Sequence, residues 1–228
     1  GHVERFNPAI IELRRRLQAG ALGRVFEIRS RRMGPFPARI RDVGVVIDLA
    51  AHDLDIMRWL VGGEVIRVYA ETARRIHTEH EDLFSGLMRF AGGEIAALSI
   101  NWLTPTKVRE LSVTGERGMF VADYLRQELD FYENTAADSH WETFGVLQGV
   151  GEGDMLRLRV ERLEPLAAEI ASFARSVLDG SPPEITGEDG LATLALARAM
   201  VESGESGEVR VPDRTNAPRG ETGPAGSD

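Results

Sequence analysis

Between residues 65 and 132 the chain runs through six short apolar/polar alternating segments, and this run constrains the fold more than any other feature. The segments are Val65–Ala70, Leu83–Phe90, Glu94–Trp102, Val108–Thr114, Met119–Tyr124 and Leu129–Tyr132. Period-two alternation is the mark of strands with one buried face. The turns between them are short, as at Ala91-Gly92-Gly93, which reads as a hairpin. Parallel neighbours need crossovers of about a dozen residues or more, so the run predicts an antiparallel sheet. Residues 24–33 predict one further strand, broken by Gly34-Pro35-Phe36-Pro37.

Helical signals flank the strands. Asn7 suits an N-cap and Pro8 a first helical position, with Ile10, Leu13 and Leu17 at helical spacing and Gly20 as the stop. Residues 45–61 predict a second helix closed by Gly62-Gly63, and residues 165–178 and 188–202 predict two more. Residues 208–211 predict a last short strand, and 134–154 a long loop. The expected class is α+β, a largely antiparallel open sheet covered by helices on one face. Residues 1–212 are expected to form one domain, and residues 213–228, rich in Pro, Gly, Thr and charge, a disordered tail.

Composition narrows the function classes. The net charge of −9 argues against a nucleic-acid partner, and the lack of cysteine excludes disulfides and thiolate metal sites. No apolar run reaches the roughly 18–20 residues of a membrane span, so no membrane partner and a cytoplasmic location are expected. The β–α alternation of a nucleotide-binding Rossmann domain is absent. Gly149-x-Gly151-x-Gly153 follows no strand and opens no helix, so it is not a dinucleotide turn. The chain opens with Gly1 inside a patterned segment, so further sequence is expected upstream.

Helix 45–61 carries the densest chemistry. Asp48, His52, Asp55 and Trp59 fall on one stripe of an otherwise mostly apolar helix. Buried carboxylates and imidazoles are costly unless paired or functional. Asp48 and His52 are four residues apart, so pairing over one turn is expected, raising the His52 pKa above its ordinary value of about 6.5. Spacing leaves three roles open: an acid–base couple, a structural pair, or two metal ligands lacking an obvious third.

The run from Gly44 to Gly62, with Asp48-x-x-x-His52-x-x-Asp55 at its centre, resembles the signature of the Gfo/Idh/MocA family. The openings His2-Val3-Glu4-Arg5-Phe6-Asn7-Pro8 and Glu164-Pro165 through Gly190-Leu191 resemble two further family segments, so the likeness spans residues 1–212. The resemblance implies oxidation or reduction of a secondary alcohol on a sugar, with NAD or NADP bound mainly by an N-terminal Rossmann domain that this chain lacks. It implies that His52 is the catalytic base and that Asp48 orients it and contacts the substrate. Asp55 becomes a structural residue, and Arg5 and Asn7 lie in a segment near the nicotinamide and substrate. The family's Gly-rich turn and Glu-Lys-Pro segment are missing, so cofactor-binding residues are expected upstream of Gly1 and the chain alone is expected to be inactive.

Residues 29–41 contain Arg29, Arg31, Arg32, Arg39 and Arg41 and no acid. Guanidinium groups bind phosphate bidentately, so the run either holds an anionic part of a nucleotide sugar, with Arg39 and Arg41 as substrate-binding residues, or forms a solvated strand and loop or a salt-bridged subunit contact. The run through Gly34-Pro35-Phe36-Pro37 is similar to family members acting on UDP-N-acetylglucosamine-like substrates, with a free sugar or cyclitol as the competitor. No metal site is expected, since His77-x-x-His80 lacks further ligands. Trp102 and Trp141 are candidates for sugar stacking or core packing. The open sheet needs cover, so a homodimer or homotetramer through the sheet is expected. The competing reading is a non-catalytic ligand-binding or assembly module.

Overall fold

Asn7 opens the first helix as its sequence implies. Its side chain accepts the Ala9 N–H at 3.2 Å, and Pro8 occupies the first turn of α1 (Pro8–Gln18). A computed structural model describes residues 1–40, 42–77, 79–134 and 153–213. A 3-10 turn, Val3–Phe6, precedes α1, and β1 (Val25–Met33) follows it. A π turn, Val46–Ala50, then runs into α2 (Ala51–Val61). Next come β2 (Val65–Ala73), β3 (Leu83–Phe90), β4 (Ile95–Asn101), β5 (Val108–Gly115), β6 (Gly118–Asp123), β7 (Glu128–Glu133) and β8 (Met155–Leu158). The helices α3 (Pro165–Asp179) and α4 (Gly187–Ser206) complete the described fold.

The eight strands make one mixed sheet in the order β2-β3-β4-β1-β5-β6-β7-β8. Every adjacent pair is antiparallel except β1 and β4. The short turns of 65–132 account for the antiparallel pairs. The parallel pair arises because the π turn, α2 and the β2–β3 hairpin lie between β1 and β4, a connection long enough to return the chain in the same direction. Strand β1 thereby becomes central.

Alternation sorts the two faces. Along β1, Ile28, Ser30 and Arg32 are buried while Arg29 and Arg31 are exposed. The helices contact the buried face, α2 against β1, α4 against β2 and α1 against β6 and β7. Ile28, Leu54, Met57, Phe84, Ile100 and Leu111 sit in that core, each fully buried side chain contributing about 1.5–3 kcal/mol.

Three details differ from expectation. Residues 208–211 make only an isolated bridge, Arg210 to Val68, and not a strand. Strand β8 lies just past the expected loop of 134–154, in residues given no element by the sequence, since four residues at a sheet edge carry little alternation of their own. The π turn replaces the first turn of the expected helix. Trp141, most of the 134–154 segment and residues 214–228 lie outside the described residues. Among those described, no helix is long and apolar enough to cross a membrane.

Candidate active site

The helix bearing Asp48 and His52 is anchored at both ends. Glu81 holds its start: the Val45 N–H donates to the Glu81 carbonyl at 2.9 Å and the Val46 N–H to Glu81 Oε1 at 3.1 Å. This is an external cap for donors that a helix leaves unpaired. A Cβ at Gly44 would collide with that carboxylate, so only glycine admits the cap as it stands. At the far end Gly62 adopts φ 72°, and its N–H donates to the Arg58 carbonyl at 2.8 Å. The π turn widens the backbone around Asp48, a geometry often found at functional sites.

Two buried ion pairs fix the helix laterally. Asp53 is fully buried and meets Arg32 of β1, which is 3% exposed; Ser30 Oγ donates to Asp53 at 2.7 Å and Arg32 Nη1 to Glu4 at 2.9 Å. Burial works against the Arg32 charge, and Asp53 and Glu4 more than offset it, so its pKa is raised. Asp55 takes a bidentate grip from Arg5 at 2.6 and 2.7 Å and a further bond from Thr193 at 3.2 Å. Arg5 also reaches Asp189, the residue that closes the capping box of α4 with Thr186. Arg5 therefore ties the chain's first turn to α2 and α4, and Asp55 has a structural partner set.

His52 and Asp48 are both half-buried. No hydrogen bond or ion pair joins them among the described residues, and the expected upward shift of His52 is overturned. Burial lowers the His52 pKa from 6.5, and Arg32 lowers it further, against the opposing pull of Asp53 and Glu4. The imidazole is thus held neutral, the form that accepts a proton. Burial raises the Asp48 pKa from 3.8, while His52, Arg39 and Arg109 pull it back down.

The other expected substrate ligands are scattered. Asn7 is buried, with its oxygen on the α1 cap and its amide donating to the Tyr124 carbonyl at 3.1 Å. The donors of Arg5 and Asn7 are thus spent inside the fold. Arg39 is exposed and within electrostatic reach of Asp48; Arg41 lies outside the described residues. The basic run is not a continuous anion surface. Strand geometry hands Arg29 to Glu27, Arg31 to Glu110 and Arg32 to Asp53, carboxylates invisible within 29–41 itself.

Arg109 of β5 was not singled out by sequence. Its Nη1 is buried with no hydrogen-bond partner among the described residues, as is the Tyr124 hydroxyl nearby. Only the cross-strand register, which places Arg109 opposite Arg32, reveals it. Trp102 is 2% exposed and packs edge-on to Phe36 at 5.9 Å, so it belongs to the core. His77 Nδ1 accepts the N–H groups of Glu79 and His80, and no group of three or more His, Asp or Glu among the described residues is placed to hold a metal. Cavities of about 550 and 360 Å³ flank the helix, one beside Gly44 and Glu81 and one beside Trp59 and Arg14, and neither has Asp48 or His52 in its wall.

Residues 10–121 match the model of the GFO/IDH/MocA C-terminal domain. UDP-N-acetylglucosamine 3-dehydrogenase of Acidithiobacillus ferrooxidans is 28% identical over 206 residues, which is 89% of this chain and 62% of that protein. Myo-inositol 2-dehydrogenase of Thermotoga maritima is 27% identical over 217 residues, 89% of this chain and 60% of its own. The chain therefore spans less than two thirds of the length of these relatives. A solved structure of the Acidithiobacillus ferrooxidans enzyme superposes with a TM-score of 0.76 at 27% identity, covering 89% of this chain and 61% of that one. Levoglucosan dehydrogenase in complex with NADH and levoglucosan shares the fold, with a TM-score of 0.78 at 18% identity over 94% of this chain and 66% of that one. The sheet order, the one-sided helices and these matches agree: the chain belongs to the GFO/IDH/MocA family and carries its C-terminal domain.

Proposed function

We propose that this chain is the substrate-facing part of an NAD(P)-dependent dehydrogenase acting on a secondary alcohol of a sugar, cyclitol or nucleotide sugar. One observation carries the reading: a neutral, half-buried imidazole, His52, lies one helical turn from a half-buried carboxylate, Asp48, that makes no ion pair with a described residue. The names of the relatives support the same class of reaction.

The described residues do not fit the dinucleotide itself. No Gly-rich turn joins a strand to a helix here, and the one parallel strand pair is not linked by a single crossover helix. The nucleotide, which accepts the hydride, is proposed to be held by polypeptide beyond these residues. This chain handles the proton. His52 accepts it from the substrate hydroxyl, and Asp48 accepts a hydrogen bond from a hydroxyl of the same ring and so orients it. Arg32 and its acids fix the helix so that the imidazole cannot drift.

The test is His52→Ala in the protein that carries this chain, followed by reduced-nicotinamide absorbance with sugars, cyclitols and nucleotide sugars. Turnover is expected to fall by roughly a hundred- to ten-thousand-fold, the usual contribution of a positioned base, with nucleotide affinity kept. Unchanged turnover removes the assignment and favours a non-catalytic binding module. The exposed face of the sheet, with Leu87 and Ile95 among its surface side chains, is proposed to pair with a second copy. Light scattering of Leu87→Arg checks this, with a shift toward monomer expected.

A further inference from the structure

Arg109 and Arg32 are register partners across β5 and β1. Like charges directly opposite in a sheet repel, so each needs an acid or a purpose. Arg32 has Asp53 and Glu4. The Arg109 side chain makes no ion pair or hydrogen bond with any described residue, and its Nη1 is buried. Arg32, the register partner of Arg109, holds Asp53 next to His52, and Asp48 one turn away is half-buried, in no ion pair with a described residue and within electrostatic reach of Arg109. A half-buried carboxylate and a half-buried guanidinium that feel each other's charge without bonding each other leave acceptors on one side and donors on the other.

The charges choose the ligand. An anion is favoured by Arg109 but opposed by Asp48, and a cation the reverse. A neutral vicinal diol satisfies both, because one hydroxyl donates to the carboxylate while its neighbour accepts from the guanidinium. We propose that Arg109 is a substrate-binding residue that reads the hydroxyl adjacent to the one held at Asp48 and His52, and so selects a ring bearing neighbouring hydroxyls. The inference rests on the dehydrogenase reading and deepens it.

A deoxy scan tests it in the protein that carries this chain. The probes are myo-inositol and UDP-N-acetylglucosamine, each with its monodeoxy analogues, against wild type, Arg109→Met and Arg109→Lys. In wild type, loss of one particular hydroxyl is expected to lower kcat/KM or affinity by roughly ten- to a hundredfold, the scale of a hydrogen bond to a charged group. Arg109→Met is expected to shrink that one penalty below about threefold while leaving the penalties at other positions, and Arg109→Lys to retain part of it. Because its cation is unpaired, Arg109→Met is also expected to melt no lower than wild type. Equal penalties in wild type and Arg109→Met overturn the proposal, as does failure of wild type to bind either probe. A fall in melting temperature of about 5 °C or more in both variants makes Arg109 a structural ion and overturns it too. Failure of the dehydrogenase reading shows separately, in unchanged turnover of His52→Ala.

Discussion

Arg32 of the central strand and Asp53 of α2 form a buried ion pair that pins the helix carrying His52 to the sheet. Both side chains are almost wholly withdrawn from water, so the pair is held less by net Coulomb gain than by the cost of breaking it. Asp53→Ala strands the Arg32 guanidinium with Glu4 alone. That change is expected to cost about 3–5 kcal/mol, read as a lower urea midpoint with an unchanged m-value. Asp53→Asn keeps the acceptor for Ser30 and is expected to cost less. Equal midpoints for wild type and Asp53→Ala would show that the sheet and helix are held by apolar packing alone.

Gly44→Ala tests the external cap. The added methyl meets the Glu81 carboxylate, which must swing away and release the Val46 N–H. The loss is expected to be about 1 kcal/mol, the usual worth of a helix cap, and hydrogen exchange at residues 45–48 is expected to quicken while α4 keeps its protection. Unaltered exchange in that stretch would mean that Glu81 does not secure the π turn.

The parts of this architecture differ in how far sequence exposes them. The Asn7-Pro8 start of α1, the Gly62 stop and the hairpin through Gly92-Gly93 are local, since each depends on the conformational preferences of adjacent residues. The β1–β4 pairing joins segments about seventy positions apart, and no local period encodes it. The same limit hides the charge pairing. Arg32 looks like one member of a basic run, yet strand alternation turns it inward to Asp53 while Arg29 and Arg31 turn outward. Spacing predicts a raised His52 pKa because it reveals Asp48 but not the depth of burial or Arg32 behind the ring. Arg109 is one more charge between Lys107 and Glu110 until the sheet sets it opposite Arg32.

Arg39 provides the test of a phosphate-bearing substrate. It is exposed, close enough to lower the Asp48 pKa, and in no salt bridge with a described residue. A guanidinium at the rim is suited to a distant phosphate and contributes little to a neutral ring. Arg39→Ala is expected to raise KM for UDP-N-acetylglucosamine several-fold more than KM for myo-inositol, with kcat little changed for either. Equal rises would leave the nucleotide-sugar reading without its rim cation.

The lowered pKa of His52 sets the expected pH dependence. The groups facing the imidazole are Arg32 from β1, Asp53 from its own helix, Asp48 one turn before it, and Glu4 and His2 from the chain's start; burial and Arg32 outweigh the acids. The unfolded chain then takes up a proton on His52 near pH 6.5 while the folded chain does so only at lower pH. Below about pH 6.5 the unfolded state binds more protons, so His52 contributes stability that is fully present above that value and is lost as pH falls through the folded pKa. Catalysis follows the same proton, because only the neutral ring accepts from an alcohol. The acid limb of kcat/KM for sugar oxidation is therefore expected below pH 6.5, and His52→Gln is expected to abolish that limb together with most of the rate. Nuclear magnetic resonance titration of the His52 ring checks the assignment directly. A ring that titrates above pH 6.5 would mean that Asp53 and Glu4 dominate its field, and the base would then be largely protonated near neutrality and unable to do what its position implies.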